Sequence, residues 1–113
     1  MTKFGTAMSE QDLEQLTSLF RTLSDRTRLT IVLLLSKGER NVSSLCEELN
    51  LPQPTVSHHL GLLRNKNVVT SRRDGKQVFY VLNGRENQHS DEFVLPLEFS
   101  TARFSVKVAG QME

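Results

Sequence analysis

The chain of 113 residues has no tryptophan, one tyrosine, one cysteine and three prolines. A lone Cys46 cannot close an internal disulfide or supply a thiolate metal cage, which excludes a disulfide scaffold and predicts a reducing, cytoplasmic setting. No apolar run approaches the roughly 20 residues that cross a bilayer, and Met1-Thr2-Lys3-Phe4-Gly5 has no long apolar stretch behind its single charge. Neither a membrane span nor a secretory signal is expected. No overall charge excess is present either, because 14 basic residues face 13 acidic ones, so any polyanion-binding surface must come from the arrangement of charge. Hydrophobic residues at 37% and charged residues at 24% are those of a chain that folds, and the length fits a single core.

The charge is segregated. Glu10, Asp12, Glu14, Asp25, Glu39, Glu47 and Glu48 dominate the first half, and Glu86, Asp91, Glu92, Glu98 and Glu113 the tail. Between Leu51 and Arg85 lie Arg64, Lys66, Arg72, Arg73, Lys76 and Arg85, with His58 and His59, against Asp74 alone. A basic centre in a near-neutral chain is the footprint of a surface that meets phosphates, although many charged strips are only solvated.

Apolar spacing supplies the scaffold. Ser9 with Asp12 three residues on, then Leu13, Leu16, Phe20 and Leu23, predicts a capped amphipathic helix over 10–23. Ser24-Asp25 caps a second helix whose Leu29 and Ile31–Leu35 are apolar nearly all round, so this helix is expected to be the buried one. Asn41 caps a short third helix with Val42, Leu45, Cys46 and Leu49 inward, and Asn50 suits its left-handed exit. Pro52-Gln53-Pro54 opens a fourth helix to about Asn65, because prolines are tolerated where first-turn amides lack helical partners.

On that fourth helix Val56, Leu60 and Leu63 share one face, while Ser57, His58, Gly61, Arg64 and Asn65 share the other. His59 leans to the apolar flank, as a structural histidine would. The outer face is small, polar and basic. Val68–Arg73 and Lys76–Leu82, joined through Asp74-Gly75, predict a β-hairpin with Arg72, Arg73 and Lys76 crowded at its tip.

Two short helices joined by a tight turn, followed by a basic hairpin, describe a mainly α fold with a small β-hairpin wing, a winged helix-turn-helix. Small donor and acceptor side chains allow such a helix into the major groove, and a basic hairpin then reaches neighbouring phosphates. The candidate DNA-binding residues are Gln53, Thr55, Ser57, His58, Arg64, Arg72, Arg73 and Lys76. No phosphate-loop, zinc-protease or nucleophile-elbow motif is present, and Ser57 beside His58 has no nearby acid in sequence to orient an imidazole, so catalysis is not expected.

Leu19-Phe20-Arg21-Thr22-Leu23-Ser24-Asp25-Arg26-Thr27-Arg28-Leu29, then Leu51-Pro52-Gln53-Pro54-Thr55-Val56-Ser57-His58-His59-Leu60, then Arg72-Arg73-Asp74-Gly75-Lys76 together resemble the ArsR/SmtB family of winged-helix repressors. The likeness runs over about Ser9–Asn83. It implies a homodimer that binds an inverted-repeat operator in double-stranded DNA and releases it on a signal. By the same resemblance Gln53, Ser57 and His58 would face bases or phosphates, and Arg72, Arg73 and Lys76 would be wing contacts.

Departures from the family pattern bear on the signal. Many members carry Glu-Leu-Cys-Val-Cys-Asp-Leu at the start of the third helix, where this chain has Glu39-Arg40-Asn41-Val42-Ser43-Ser44-Leu45. Soft metals select thiolates, so no metal and no cofactor is expected there. Glu86, His89, Asp91 and Glu92 make a poor zinc set in the tail. Pro52 replaces the family's usual serine, which leaves the fourth helix without a side-chain cap.

The chain divides into a winged-helix domain over 1–83 and a tail over 84–113. Phe93, Leu95, Leu97 and Phe99 alternate, as do Phe104, Val106 and Val108, which predicts extended chain packed on the domain or the dimer interface. Two alternatives share the fold: a metal-responsive repressor with an atypical site, and a winged helix that docks only proteins. The latter predicts an apolar or acidic outer face on the fourth helix.

Overall fold

The computed structural model of the chain describes residues 8–84, 93–98, 100 and 103–108. Four helices, α1 (Glu10–Leu23), α2 (Arg26–Ser36), α3 (Val42–Leu49) and α4 (Gln53–Asn65), precede a hairpin of β2 (Val69–Asp74) and β3 (Gln77–Leu82). A short β1 (Arg40–Asn41) lies before α3, and the tail forms β4 (Phe93–Glu98) and β5 (Arg103–Val108).

Each of the first three helices starts on the side chain that its sequence offers. Ser9 Oγ accepts from the Asp12 amide at 3.1 Å, an Asp25 carboxylate oxygen from the Arg28 amide at 3.0 Å, and Asn41 Oδ1 from the Ser44 amide at 2.7 Å. The Arg28 amide holds the Asp25 carboxyl below its ordinary pKa, because the bond favours the ionised cap. α3 leaves through Asn50 at φ 56°, and α4 begins after Pro52 with no side-chain cap.

Leu16 and Leu19 of α1, Ile31 and Leu35 of α2, Leu45 of α3, and Val56, Leu60 and Leu63 of α4 close on Val68, Val69 and Leu82 at the base of the wing. α2 is not the wholly buried helix that its composition predicts. Ile31, Val32 and Leu35 are buried, whereas Leu29 and Leu33 are 46% and 50% exposed, because no described element covers their side of the helix.

In the wing the two-residue loop is Gly75-Lys76, one position later than Asp74-Gly75, since Asp74 still pairs with Gln77. Gly75 takes φ +65° and Lys76 does not, which is the pattern of a turn with glycine first. Arg40 and Asn41 add a third strand by pairing with Tyr80 and Phe79, giving the order β1-β3-β2. Two residues are too few for a strand periodicity, so the sequence carries no sign of β1.

The tail is extended. β4 and β5 pair antiparallel with Phe93 opposite Val108, Leu95 opposite Val106 and Leu97 opposite Phe104. Between the strands Ser100 Oγ donates to both carboxylate oxygens of Asp12, at 3.0 and 3.1 Å. Asp12 is only 2% exposed, so Ser100 ties the tail to α1 at a buried charge. Phe99, Glu86, His89, Asp91 and Glu92 lie outside the described residues.

Candidate nucleic-acid interface

α4 turns its apolar stripe into the core and leaves Gln53, Ser57, His58, Gly61 and Arg64 exposed, with Thr55 half-buried. A Cβ built on Gly61 would meet nothing within 4 Å, so the middle of this face is open. The helix is held from behind. Arg28 Nη1 of α2 lies 3.1 Å from His59 Nδ1, and Lys66 Nζ, just past the end of α4, donates to Ser18 Oγ of α1 at 2.6 Å.

The beginning of α4 and the tip of the wing share one surface. An open hollow of about 400 Å³ is lined by Asn41, Ser43 and Cys46 of the α3 region, Gln53 of α4, and Lys76 and Gln77 of the wing. Asn41 Nδ2 donates to Gln77 Oε1 at 2.7 Å, which ties the wing tip to the start of α3. Arg64, Arg73 and Lys76 are exposed and make no ion pair among the described residues.

Arg72 is differently placed. Its Nε and Nη2 bond Glu39 Oε2 and Oε1 at 2.7 and 2.9 Å, and its guanidinium carbon lies 4.7 Å from the Phe79 ring centroid. Bonding to Arg72 holds the Glu39 carboxyl below its ordinary pKa and raises that of Arg72. Composition and spacing did not single out Glu39, which lies 33 positions from its partner. The Arg72–Phe79 pairing follows from the loop at Gly75-Lys76, whereas the expected Asp74-Gly75 loop would have set Arg72 opposite Gln77.

Where the resemblance implies thiolates, this chain places a capping amide, Asn41, and the exposed hydroxyl of Ser43. Among the described residues no three His, Cys, Asp or Glu side chains gather as metal ligands. Cys46 is half-buried against the core.

A helix pair joined by a tight turn, a second helix with a bare polar outer face, and a three-stranded wing beside it define a winged helix-turn-helix protein. Residues 25–71 match the family model described as bacterial regulatory protein, arsR family. The chain is 39% identical over 79 residues to the biofilm growth-associated repressor of Xylella fastidiosa, covering 66% of this chain and 69% of that one. It is 39% identical over 82 residues to the HTH-type transcriptional regulator KmtR of Mycobacterium tuberculosis, covering 73% of this chain and 61% of KmtR. A homodimeric winged helix-turn-helix DNA-binding domain from Mycobacterium bovis superposes with a TM-score of 0.63 at 28% identity, over 70% of this chain and 76% of that one. The chain belongs to the arsR family of bacterial regulatory proteins. That family is one of regulatory proteins, and the relatives matched are transcriptional regulators.

Proposed function

We propose that the chain acts as a homodimeric transcriptional repressor, inserting α4 into the major groove of each half of an inverted-repeat operator. The outer face of α4 carries this reading: Gln53, Ser57 and His58 stand exposed around an open Gly61, opposite the buried Val56, Leu60 and Leu63. Acidic or apolar groups, which a protein-docking helix would present, do not occupy those positions. Gln53, Thr55, Ser57 and His58 would read base edges, while Arg64, Arg73 and Lys76 would bind phosphates. The tail, tied to α1 through Ser100 and Asp12, packs on the domain or the dimer interface.

The releasing signal is not a thiolate-bound metal, because Asn41 and Ser43 stand where the thiolates would be needed. Zinc, cadmium and arsenite should therefore leave the protein–DNA complex intact. Stoichiometric release by one of them would refute this and favour an atypical metal site.

Sedimentation combined with footprinting tests the assembly. A dimer protecting two half-sites is expected, and a monomer on one unrepeated half-site would overturn it. Gln53→Ala and Ser57→Ala should change base preference. Arg73→Gln and Lys76→Gln should instead weaken binding to all sequences and lower the salt slope by about 0.9 per lost phosphate contact.

A further inference from the structure

Arg72 is the one wing cation whose bonding capacity is already committed within the described protein. Glu39 takes its Nε and Nη2 edge in a fork of two bonds at 2.7 and 2.9 Å. Asp74 Oδ2 lies 3.8 Å from Nη1, and Phe79 covers one flat face at 4.7 Å. Two carboxylates around one guanidinium leave little net positive charge for a phosphate. Among the described residues Arg73 and Lys76, the neighbouring cations, make no such pairs.

The partners of Arg72 come from different elements. Glu39 immediately precedes β1, and Phe79 of β3 pairs with Asn41 of β1 on one side and with Arg72 of β2 on the other. The guanidinium thus spans the sheet from the outer wing strand to the segment that leads into α3. An isolated surface ion pair would contribute little, but a bidentate fork stacked on an aromatic ring has a fixed geometry that a flexible ammonium cannot reproduce.

We infer that Arg72 is a positioning residue and not a phosphate contact: with Glu39 and Phe79 it clamps the wing to the start of α3, so that Arg73 and Lys76 are presented at a set angle to α4. This rests on the DNA-binding reading of the same surface. The clamp itself is a property of the free protein.

Two measurements on the full chain separate the alternatives. The first is amide hydrogen exchange of the free protein. Glu39→Gln and Arg72→Lys should each speed exchange at the β1–β3 pairing, and the exchanged pair Glu39→Arg with Arg72→Glu should restore much of the protection. Unchanged exchange in the single variants would overturn the clamp, whatever the protein binds. The second is the salt dependence of binding to a mixed-sequence duplex about three helical turns long. Glu39→Gln should weaken binding several-fold without raising the salt slope, and the charge-swapped pair should recover most of the loss. If Arg72 were a phosphate contact restrained by Glu39, Glu39→Gln would tighten binding and raise the slope by about 0.9, and the swap would be the weakest binder of all. Either result would overturn the inference. Absence of salt-dependent binding by the unsubstituted chain would instead remove the DNA-binding reading, and the inferred role of Arg72 at that surface with it, while the exchange experiment still decides whether the clamp exists.

Discussion

Arg28 and His59 join α2 to α4: Arg28 Nη1 lies 3.1 Å from His59 Nδ1, while its Nε donates to the Thr22 carbonyl at 2.6 Å. A guanidinium has no acceptor, so in this contact Nδ1 is placed to accept. The adjacent histidine does nothing of this kind, because His58 projects from the exposed side of α4.

Arg28 and His58 should therefore fail in different assays. Arg28→Ala removes two charge-assisted bonds from a half-buried position and should cost about 1.5–3 kcal/mol, read as a lower denaturation midpoint. His58→Ala should leave that midpoint unchanged and weaken DNA binding.

Gly61→Ala should separate stability from binding. The added methyl meets nothing within 4 Å, and alanine in a helix interior is favoured by roughly 0.5–1 kcal/mol, so the melting temperature should rise. The same methyl stands on the face proposed to enter the groove. DNA affinity should fall, and a variant gaining stability with full affinity would place that face away from DNA.

Ser100→Ala tests the docking of the tail. The hydroxyl bonds both oxygens of a carboxylate that is 2% exposed, so its loss should destabilise the chain by about 1–3 kcal/mol. Removing everything after Asn83 should cost more. A truncated protein with an unchanged melting temperature and oligomeric state would show that the tail contributes nothing to packing.

Acid should weaken the Glu39 clamp in a defined window. Bonding to Arg72 holds the Glu39 carboxyl below its ordinary value of 4.5, so the folded state binds its proton less readily than the unfolded chain. Its stabilising contribution is present above about pH 4.5 and disappears as pH falls through the lower folded value. Glu39→Gln should be less stable than the parent chain at neutral pH, and the two stability curves should converge below that window. Loss of stability from the Asp25 cap overlaps at the acid end, so the comparison is between the curves and not between their midpoints.

Local chemistry made most of the scaffold legible. Ser9, Asp25 and Asn41 each cap the helix that follows them, Asn50 takes the left-handed exit, and the alternation through Leu95 and Val106 becomes paired strands. Pairings between distant segments were not legible. Glu39 with Arg72, Arg28 with His59 and Ser100 with Asp12 join positions separated by 33, 31 and 88 residues, and nothing periodic marks either member. The exposed side of α2 was hidden for a related reason. Apolar residues all round a helix state that burial is available, and only the arrangement of neighbours decides which face receives it.

Selection of bound fragments from a random-sequence duplex pool tests most directly whether α4 reads DNA as one half of a dimer. The expected product is an inverted repeat with half-site centres about one helical turn, roughly 34–36 Å, apart, and its half-site sequence should shift when Gln53 and Ser57 are replaced by alanine. A pool no different from the input, or a single half-site unaffected by those replacements, would contradict the placement of α4 in the groove.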